Sequence, residues 1–550
     1  MDHGVMLADK ASNLLAERTD SGQQISDRLL VGDHTESGAM HHIRWTFVAQ
    51  SMEMKLSTFT NLTEADMAAQ TEVLVTTLSH KLLFPTLKLE FGTEFYSNRL
   101  KNAGVVGQTI YRVVCGPVDA RRAQVQNLEL VCCPQQFDGV CLALGSEFSL
   151  TSADLFLKMS DLTTEARIWM WQWLAYGLFH ATSRSSLSKL NLRDAIIGEE
   201  EVNAISSVMT SENPLSVILS RGFADRRFSL NLDMTQATWE PVLLPYGTYI
   251  HFLGEHPTYP LGSRMLRNDV QGVTACSDGE TSNLVYVVLP GFGICCADRT
   301  QLEPVPQSTT QKTSVTNLTL KFNRWPDQPP AISRFFQFVG PPLTFLEIEA
   351  TGSLCLAESL KWCPNLKTLI AREGVLINTA PFLQVYQSHD LRIETIECKF
   401  DNMVLLLREL SDQNTNLARR LRQLWHRYSY SGLRLDPVLT SVSEMLQANQ
   451  RLEYLELVGP GFPNDGILAT IEAHDGELLQ VEQLPIKCRL AFVSMFGHRE
   501  HSSEANQNEL RSPVAASATM LPFLDLNALA LVFEFAATRT QRHVSISHEW

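Results

Sequence analysis

Apolar residues recur along the second half of the chain at a short, fixed spacing. In VTNLTL, Val315, Leu318 and Leu320 occupy the first, fourth and sixth positions of a hexapeptide. The same spacing, which we call the apolar frame, begins again at Leu343, Leu366, Ile393, Leu421 and Leu452, with starts separated by 28, 23, 27, 28 and 31 residues. Seventeen of the eighteen frame positions are apolar, and the exception is His426. At the overall apolar content of 44%, about eight of eighteen positions would be apolar by chance. The alternation inside each frame predicts a short strand with one face in a core.

Segments between the frames predict the return of the chain from one strand to the next, by a helix or an irregular arm. They cover residues 378–386, 403–410 and 438–446. The last of them places one apolar face on a helix whose first turn suits Pro437, and that face consists of Val438, Leu439, Val442, Met445 and Leu446. One such unit cannot bury its apolar face alone, so neighbouring units are expected to stack.

The frame also occurs upstream. Its best single unit starts with Leu187, Leu190 and Leu192, continues to Ile197 and Gly198, and returns through a helix face of Val202, Ile205 and Val208. Two weaker occurrences begin at Val125 and Phe84. The 62 residues between 125 and 187 leave room for two units, but no intervening frame is evident.

These strings resemble the leucine-rich repeat family, nearest its ribonuclease-inhibitor-like subtype with helical outer segments. The resemblance implies an α/β solenoid of parallel strands with helical or irregular return arms. The family's asparagine position is kept at Asn323. It is replaced elsewhere, so a continuous asparagine ladder is not expected; the replacing residues are Ala195, Thr351, Gly374, Asp401, Ser429 and Pro460.

Composition shifts along the chain divide it into five segments. We expect a disordered or loosely helical N-terminus (1–39), degenerate repeats (40–235), a small antiparallel β insertion, in length like an SH3 barrel (236–310), further repeats (311–465), and a helical cap with a flexible linker at 497–519 (466–550). Asp278-Gly279 between apolar runs predicts a hairpin in the insertion. Gly291 and Gly293 predict a tight bend there and not a phosphate loop, because no helical pattern follows them.

The charge of the chain narrows the choice of partners. A formal net charge of −15 argues against nucleic acid, which requires lysine and arginine to displace counterions. No apolar run is long and uncharged enough to predict a membrane span, and the first residues lack the pattern of a signal peptide. We therefore expect an intracellular protein, cytoplasmic or nuclear.

The chemistry-bearing residues form no recognised catalytic or ligand motif. The eleven cysteines include no Cys-x-x-Cys pair, and their spacing to histidines fits no zinc site, so reduced and mostly buried thiols are expected. Phosphate loops, zinc-protease and hydrolase motifs and kinase signatures are absent from the sequence. The sequence predicts no catalytic residue, metal or cofactor.

Residues between the frame positions should point away from the core and form the binding face. Aromatic residues and arginine favour binding there, since they bury large areas at low entropy cost. The predicted protein-binding residues are Arg372, Glu397, Lys399, Phe400, Trp425, Arg427, Tyr428, Tyr454 and Glu456. For Phe400, packing against the insertion or a flanking segment is the alternative interpretation.

Three functions remain open on the sequence. The first is a non-catalytic scaffold that binds a protein through the concave face of the repeats. The second is a ubiquitin-ligase substrate adaptor, because Leu521-Pro522 before an amphipathic helix over 521–537 resembles the start of an F-box; a terminal cap of the repeats is the simpler interpretation of this helix. The third is an enzyme whose catalytic residues are far apart in the sequence.

Overall fold

In the computed structural model, the backbone of four N-terminal strands and most of the chain from residue 126 onward are described. The described residues are 28–31, 42–48, 51–57, 86–91, 126–132, 137–145, 150–220, 238–252, 255–256, 259–260, 263–266, 269–276, 283–305, 314–322, 329–350, 356–373, 375–427, 436–459, 465–479 and 540–548. The chain forms two compact units, 1–393 and 394–550. Each unit is mixed α/β.

Unit 1 contains twenty strands in the described part. In chain order they are β1 (Arg28–Val31), β2 (His42–Val48), β3 (Ser51–Ser57), β4 (Thr86–Phe91), β5 (Asn127–Val131), β6 (Ser152–Phe156), β7 (Lys189–Ala195), β8 (Thr238–Leu244), β9 (Tyr249–Phe252), β10 (Glu255–His256), β11 (Tyr259–Pro260), β12 (Ser263–Met265), β13 (Val270–Cys276), β14 (Leu284–Leu289), β15 (Gly293–Asp298), β16 (Glu303–Pro304), β17 (Asn317–Phe322), β18 (Phe345–Ala350), β19 (Thr368–Glu373) and β20 (Leu376–Ile377).

Unit 1 has seven α-helices in the described part. They are α1 (Phe137–Leu144), α2 (Thr164–Leu174), α3 (Glu199–Met209), α4 (Pro214–Ser220), α5 (Pro329–Val339), α6 (Ala357–Leu360) and α7 (Thr379–Ser388). An ion pair of 2.8 Å between Arg167 and Glu201 joins α2 to α3, and one of 2.7 Å between Arg334 and Glu199 joins α5 to α3. The helices of successive strands are therefore linked to one another.

The main sheet of unit 1 runs in the order β1-β2-β3-β4-β5-β6-β7-β17-β18-β19. From β3 to β19 every pair of neighbours is parallel, whereas β1, β2 and β3 pair antiparallel. The frame positions meet across these strands, since Leu318 lies opposite both Leu190 and Leu346. All eighteen frame positions between 315 and 457 are buried, His426 at 3% exposure included. The apolar frame therefore predicted both the burial and the register.

A repeated backbone connection precedes the parallel strands. The carbonyl oxygens of Gln126, Thr151, Ser188, Thr316 and Thr344 each accept hydrogen bonds from two successive N–H groups at the start of the next strand. The carbonyl oxygens of Glu394 and Arg422 in unit 2 do the same. Each strand start is thereby fixed to its predecessor by the same pair of bonds.

The predicted insertion is an antiparallel sheet of seven strands in the order β12-β9-β15-β14-β13-β8-β16. Gly291 and Gly293 both have positive φ, 76° and 77°, and turn β14 into β15, which confirms the tight bend. The Gly291 N–H donates to Oδ2 of the buried Asp138 at 2.6 Å, and this bond fixes the bend to α1. β13 and β14 pair antiparallel as predicted, although Asp278-Gly279 lies outside the described residues. The SH3-like closure stays a prediction.

Unit 2 contains parallel strands and helices in alternation. Its described elements are β21 (Thr395–Glu397), β22 (Lys399–Phe400), α8 (Met403–Ser411), α9 (Asn416–Arg420), β23 (Gln423–Arg427), α10 (Asp436–Ala448), β24 (Tyr454–Gly459), α11 (Asp465–Glu472) and β25 (His543–His548). The sheet order is β21-β23-β24-β25, and each neighbouring pair is parallel. The helix face predicted over 438–446 is confirmed, since α10 buries the five apolar residues assigned to it.

Three features differ from the sequence-based expectations. β1 lies in the N-terminal segment expected to be disordered or helical, because the run RLLV pairs antiparallel with β2. The unit between 125 and 187 is β6, with Leu150, Ala153 and Leu155 in the frame, and all three are buried. The C-terminal segment expected to be helical contains β25. The expected linker and the helix at 521–537 lie outside the described residues.

Across the described residues, none of the helices combines the length and apolarity needed to cross a bilayer.

Candidate functional site

The strands of unit 2 separate their side chains into a buried face and an outward face. On β23, Leu424 and His426 are buried, while Trp425 between them is only partly buried. On β24, Leu455 and Leu457 are buried, while Tyr454 and Glu456 are partly exposed. Side chains alternate along a strand, so the core that holds the frame positions turns the intervening residues outward.

Three rings on the outward face form what is called here the aromatic row, Trp425, Tyr454 and His543. The ring centroids of Trp425 and Tyr454 are 4.7 Å apart at an interplanar angle of 35°, and those of Tyr454 and His543 are 5.1 Å apart at 41°. Tyr454 lies directly opposite His543 across β24 and β25, and diagonally to Trp425, which faces Glu456. The row therefore crosses three adjacent strands.

Hydrogen bonds hold the second ring of the row. The Tyr454 hydroxyl donates to Oε2 of Glu456 at 2.6 Å. Partial burial is the first cause that raises the pKa of Tyr454, and the hydrogen bond and charge of Glu456 raise it further. A ring already fixed in the free protein loses little conformational entropy on binding.

The third ring is positioned by Asp475. Nδ1 of His543 lies 3.0 Å from Oδ1 of Asp475, and the N–H of Val544 donates to the same oxygen at 2.9 Å. The backbone hydrogen bond from Val544, and then the neighbouring His543, lower the pKa of Asp475. Asp475 therefore stays ionised and orients the start of β25.

The other predicted binding residues of unit 2 occupy different environments. Glu397 lies opposite Trp425 on β21 and is partly exposed, as is Lys399 on β22, while Arg427 is exposed at the end of β23. Phe400 is 6% exposed and stacks on His426 with ring centroids 6.4 Å apart, so it belongs to the core and not to the outward face. Tyr428 lies outside the described residues.

Arg372 belongs to unit 1, where the outward face has a different character. Nε of Arg372 lies 3.1 Å from Oε1 of Glu347, and Nζ of Lys321 lies 2.5 Å from Oε2 of Glu349. Farther along the sheet, Arg193 pairs with Asp154 at 2.7 Å. The charges on this part of the face therefore balance one another.

His426 is the polar exception among the frame positions, and it is buried in unit 2. Its Nδ1 lies 3.1 Å from the carbonyl oxygen of Cys398, an arrangement that requires the proton on Nδ1. Burial is the main cause that lowers the pKa of His426 to about 4, and the charge of Lys399 adds to it. The neutral ring thus takes the place of an aliphatic side chain, and its Nδ1–H is bonded to the Cys398 carbonyl oxygen.

Sequence reasoning missed His543 and the neighbouring Arg542. Arg542 is 1% exposed, and its guanidinium donates to the carbonyl oxygens of Leu446 (2.9 Å), Leu452 (3.2 Å) and Asn449 and to the Glu477 carboxylate (2.5 Å). The alternation of Val544 and Ile546 in HVSISH was the available signal for this strand.

The described residues include no group of three or more His, Cys, Asp or Glu side chains placed to hold a metal ion. No protein-family model matches the chain, and no curated protein sequence matches it either. The function therefore has to be inferred from the geometry of the chain itself.

Proposed function

We propose that this protein is a non-catalytic scaffold that binds a protein partner through the aromatic row of unit 2. The observation that carries the proposal is the contact of Trp425 with Tyr454 and of Tyr454 with His543, at 4.7 and 5.1 Å between ring centroids, on an outward face. Aromatic side chains supply large contact areas with few rotatable bonds and dominate binding energies at protein interfaces.

The proposal includes a repeat architecture of the leucine-rich type. Its support is the buried apolar frame, the direct opposition of frame residues on neighbouring parallel strands, and the recurring pair of backbone bonds before each strand. Stacked units of this kind present a continuous row of strands, and such surfaces are used for binding in repeat proteins. The conserved asparagine position of leucine-rich repeats contributes no support to the proposal.

The outward face of unit 1 is the less favourable surface. Lys321, Glu349, Arg372 and Glu347 are engaged in ion pairs, so a partner would have to desolvate or replace those pairs. Exposed ion pairs contribute little to binding once they are screened. In unit 2 the polar groups of Tyr454 and His543 are also paired, with Glu456 and Asp475, but the faces of the rings supply apolar contact area that needs no such exchange.

Alanine substitutions at Trp425 and Tyr454 test the proposal. Tyr249→Ala is the matched control, since Tyr249 is a 51% exposed aromatic residue in the insertion. The wild type and Tyr249→Ala should co-purify the same partner from cell extract. Trp425→Ala and Tyr454→Ala should each recover at least about tenfold less of that partner, as expected for interface hot spots. Equal recovery by all four proteins, with unchanged thermal unfolding, would contradict the proposal.

A further inference from the structure

β25 reaches its place in the sheet from an unusual distance along the chain. The first residues of β21, β23 and β24 are Thr395, Gln423 and Tyr454, which are 28 and 31 residues apart, whereas His543 follows Tyr454 by 89 residues. The inner side of the strand is also less completely buried than that of its neighbour β24. Val544 is 6% exposed and Ile546 is only partly buried, while Leu455 and Leu457 opposite them are fully buried.

Four hydrogen bonds at the start of β25 join main chain to main chain. The N–H of Arg542 donates to the Glu477 carbonyl oxygen at 2.9 Å, and its own carbonyl oxygen accepts from Gly476 N–H at 2.8 Å. The His543 N–H donates to the Glu453 carbonyl oxygen at 2.8 Å, and Leu479 N–H donates to that of Thr540 at 3.1 Å. Bonds of this type hold an extended segment whatever its side chains are.

Arg542 supplies the buried side-chain contact of this segment, whereas the contact of His543 with Asp475 is exposed. The Arg542 guanidinium enters a socket made of the carbonyl oxygens of Leu446, Asn449 and Leu452 and the carboxylate of Glu477. The five N–H donors of a guanidinium match several acceptors in fixed directions, whereas a lysine ammonium has three donors on one atom. The socket is therefore selective for arginine.

Main-chain bonds along a strand combined with one deep side-chain pocket are the means by which sheet edges recognise extended peptides. We propose that the cleft between β24 and residues 475–479 is a strand-binding site for an extended segment. The segment would carry an arginine and, two residues after it, an aliphatic residue, as Arg542 and Val544 do. In this structure the chain's own residues 540–548 occupy the site. The proposed ligand is a second protein whose extended segment takes the place of residues 540–548.

The tethered segment competes with that ligand. Because residues 540–548 belong to the same chain as their site, they re-bind it in an intramolecular step, so a free peptide should bind the intact chain more weakly than a chain whose own segment has been cut free. Displacement would also remove His543 from the aromatic row. The strand-binding site itself does not depend on the proposed function, because peptide exchange is measured without any partner of the row.

The test cleaves the folded full-length chain at a protease site inserted between residues 506 and 507 and then adds a fluorescent peptide of residues 538–550. Gel filtration and fluorescence anisotropy measure how much peptide the protein incorporates. The cleaved protein should bind the peptide with an apparent affinity at least tenfold higher than that of the uncleaved protein. An Arg542→Lys peptide should bind at least tenfold more weakly. A Gln541→Ala peptide, changed at an exposed position, should bind like the wild type.

Three results would overturn the proposal. The cleaved chain could keep its thermal transition and yet incorporate no peptide, which would make β25 a permanent part of the sheet. It could lose its tail, unfold and fail to recover when the peptide is added. The Arg542→Lys peptide could bind as tightly as the wild-type peptide, which would show that the socket has no selectivity.

Discussion

Trp425 and Tyr454 lie on adjacent parallel strands and hold their ring centroids 4.7 Å apart, although the two residues are not in register. Trp425 faces Glu456, and Tyr454 donates its hydroxyl hydrogen bond to that same glutamate. Glu456 is therefore the strand neighbour of one residue and the hydrogen-bond acceptor of the other. The arrangement is formed without a partner, which favours binding with little reorganisation.

Tyr454→Phe should separate the role of the hydroxyl from that of the ring. The phenylalanine ring can still contact Trp425 and His543 but is no longer bonded to Glu456. We expect a fall of about threefold in affinity for the partner, against at least about tenfold for Tyr454→Ala, because the ring area supplies most of the binding energy. Titration calorimetry with the purified partner measures both. Equal losses for the two variants would assign the effect to the hydroxyl.

Acidification should destabilise the protein through His426. The folded-state pKa of about 4 lies below the ordinary value of 6.5, so the unfolded chain binds the proton first. The contribution of His426 to the free energy of unfolding is therefore constant above about pH 7. It decreases as the pH falls from 6.5 to 4 and is constant again below pH 4. The gap between the two pKa values corresponds to about 3 kcal/mol.

His426→Leu is the variant for this measurement, because Leu457 occupies the opposite position on β24. Urea denaturation at several pH values gives the free energy of unfolding. The wild type should lose about 3 kcal/mol more than the variant between pH 7 and 4. Parallel stability curves for the two proteins would show that His426 titrates normally in the folded state.

Gly291→Ala should weaken the attachment of the insertion to α1. Gly291 has φ of 76°, and an added Cβ would lie 3.1 Å from Cα of Gly139. Gly247→Ala is the control, because Gly247 has φ of 89° but no neighbour within 4 Å of an added Cβ. We expect a loss of about 1 kcal/mol at Gly247 from backbone conformation alone. At Gly291 we expect about 2–3 kcal/mol, since backbone must also shift. Equal losses would mean that the contact with Gly139 is loose.

Native cysteine labelling should distinguish two adjacent thiols. Cys295 is buried and burial raises its pKa, whereas Cys296 is partly exposed on the other side of β15. Burial likewise raises the pKa of Cys363 to about 12. Iodoacetamide at pH 8, followed by tandem mass spectrometry, should modify Cys296 well before Cys295 and Cys363, because the thiolate is the reactive form. Faster modification of Cys295 would show that β15 opens readily.

The periodic part of the fold could be predicted from the sequence because burial there is set by spacing. Leu318, Leu346 and Leu369 stand opposite one another as the frame requires. β6 escaped prediction because the small Ala153 fills a central frame position. β25 escaped because the exposed Gln541 occupies the first frame position, and the adjacent Arg542 is buried in its place. A polar group buried through specific acceptors leaves no trace in an apolar pattern.

The candidate site was predictable to a lesser extent. Strand alternation placed Trp425 and Tyr454 outward, and the structure brings their rings together. It also placed Phe400 outward, whereas Phe400 covers the buried ring of His426. His543 could not be assigned to the row, because its pairing with Tyr454 joins residues 89 positions apart in the sequence. Contacts across such distances depend on the order of strands, which local patterns do not specify.

Site-specific photocrosslinking at the aromatic row tests partner binding most directly. A benzoylphenylalanine residue would replace Trp425 in one protein and the exposed Tyr249 in another, and each would be irradiated with cell extract. We predict a discrete crosslinked protein from position 425 that is absent at position 249 and is suppressed when Tyr454→Ala is added. Adducts of equal yield from both positions, or none from position 425 in a correctly folded protein, would contradict partner binding at the row.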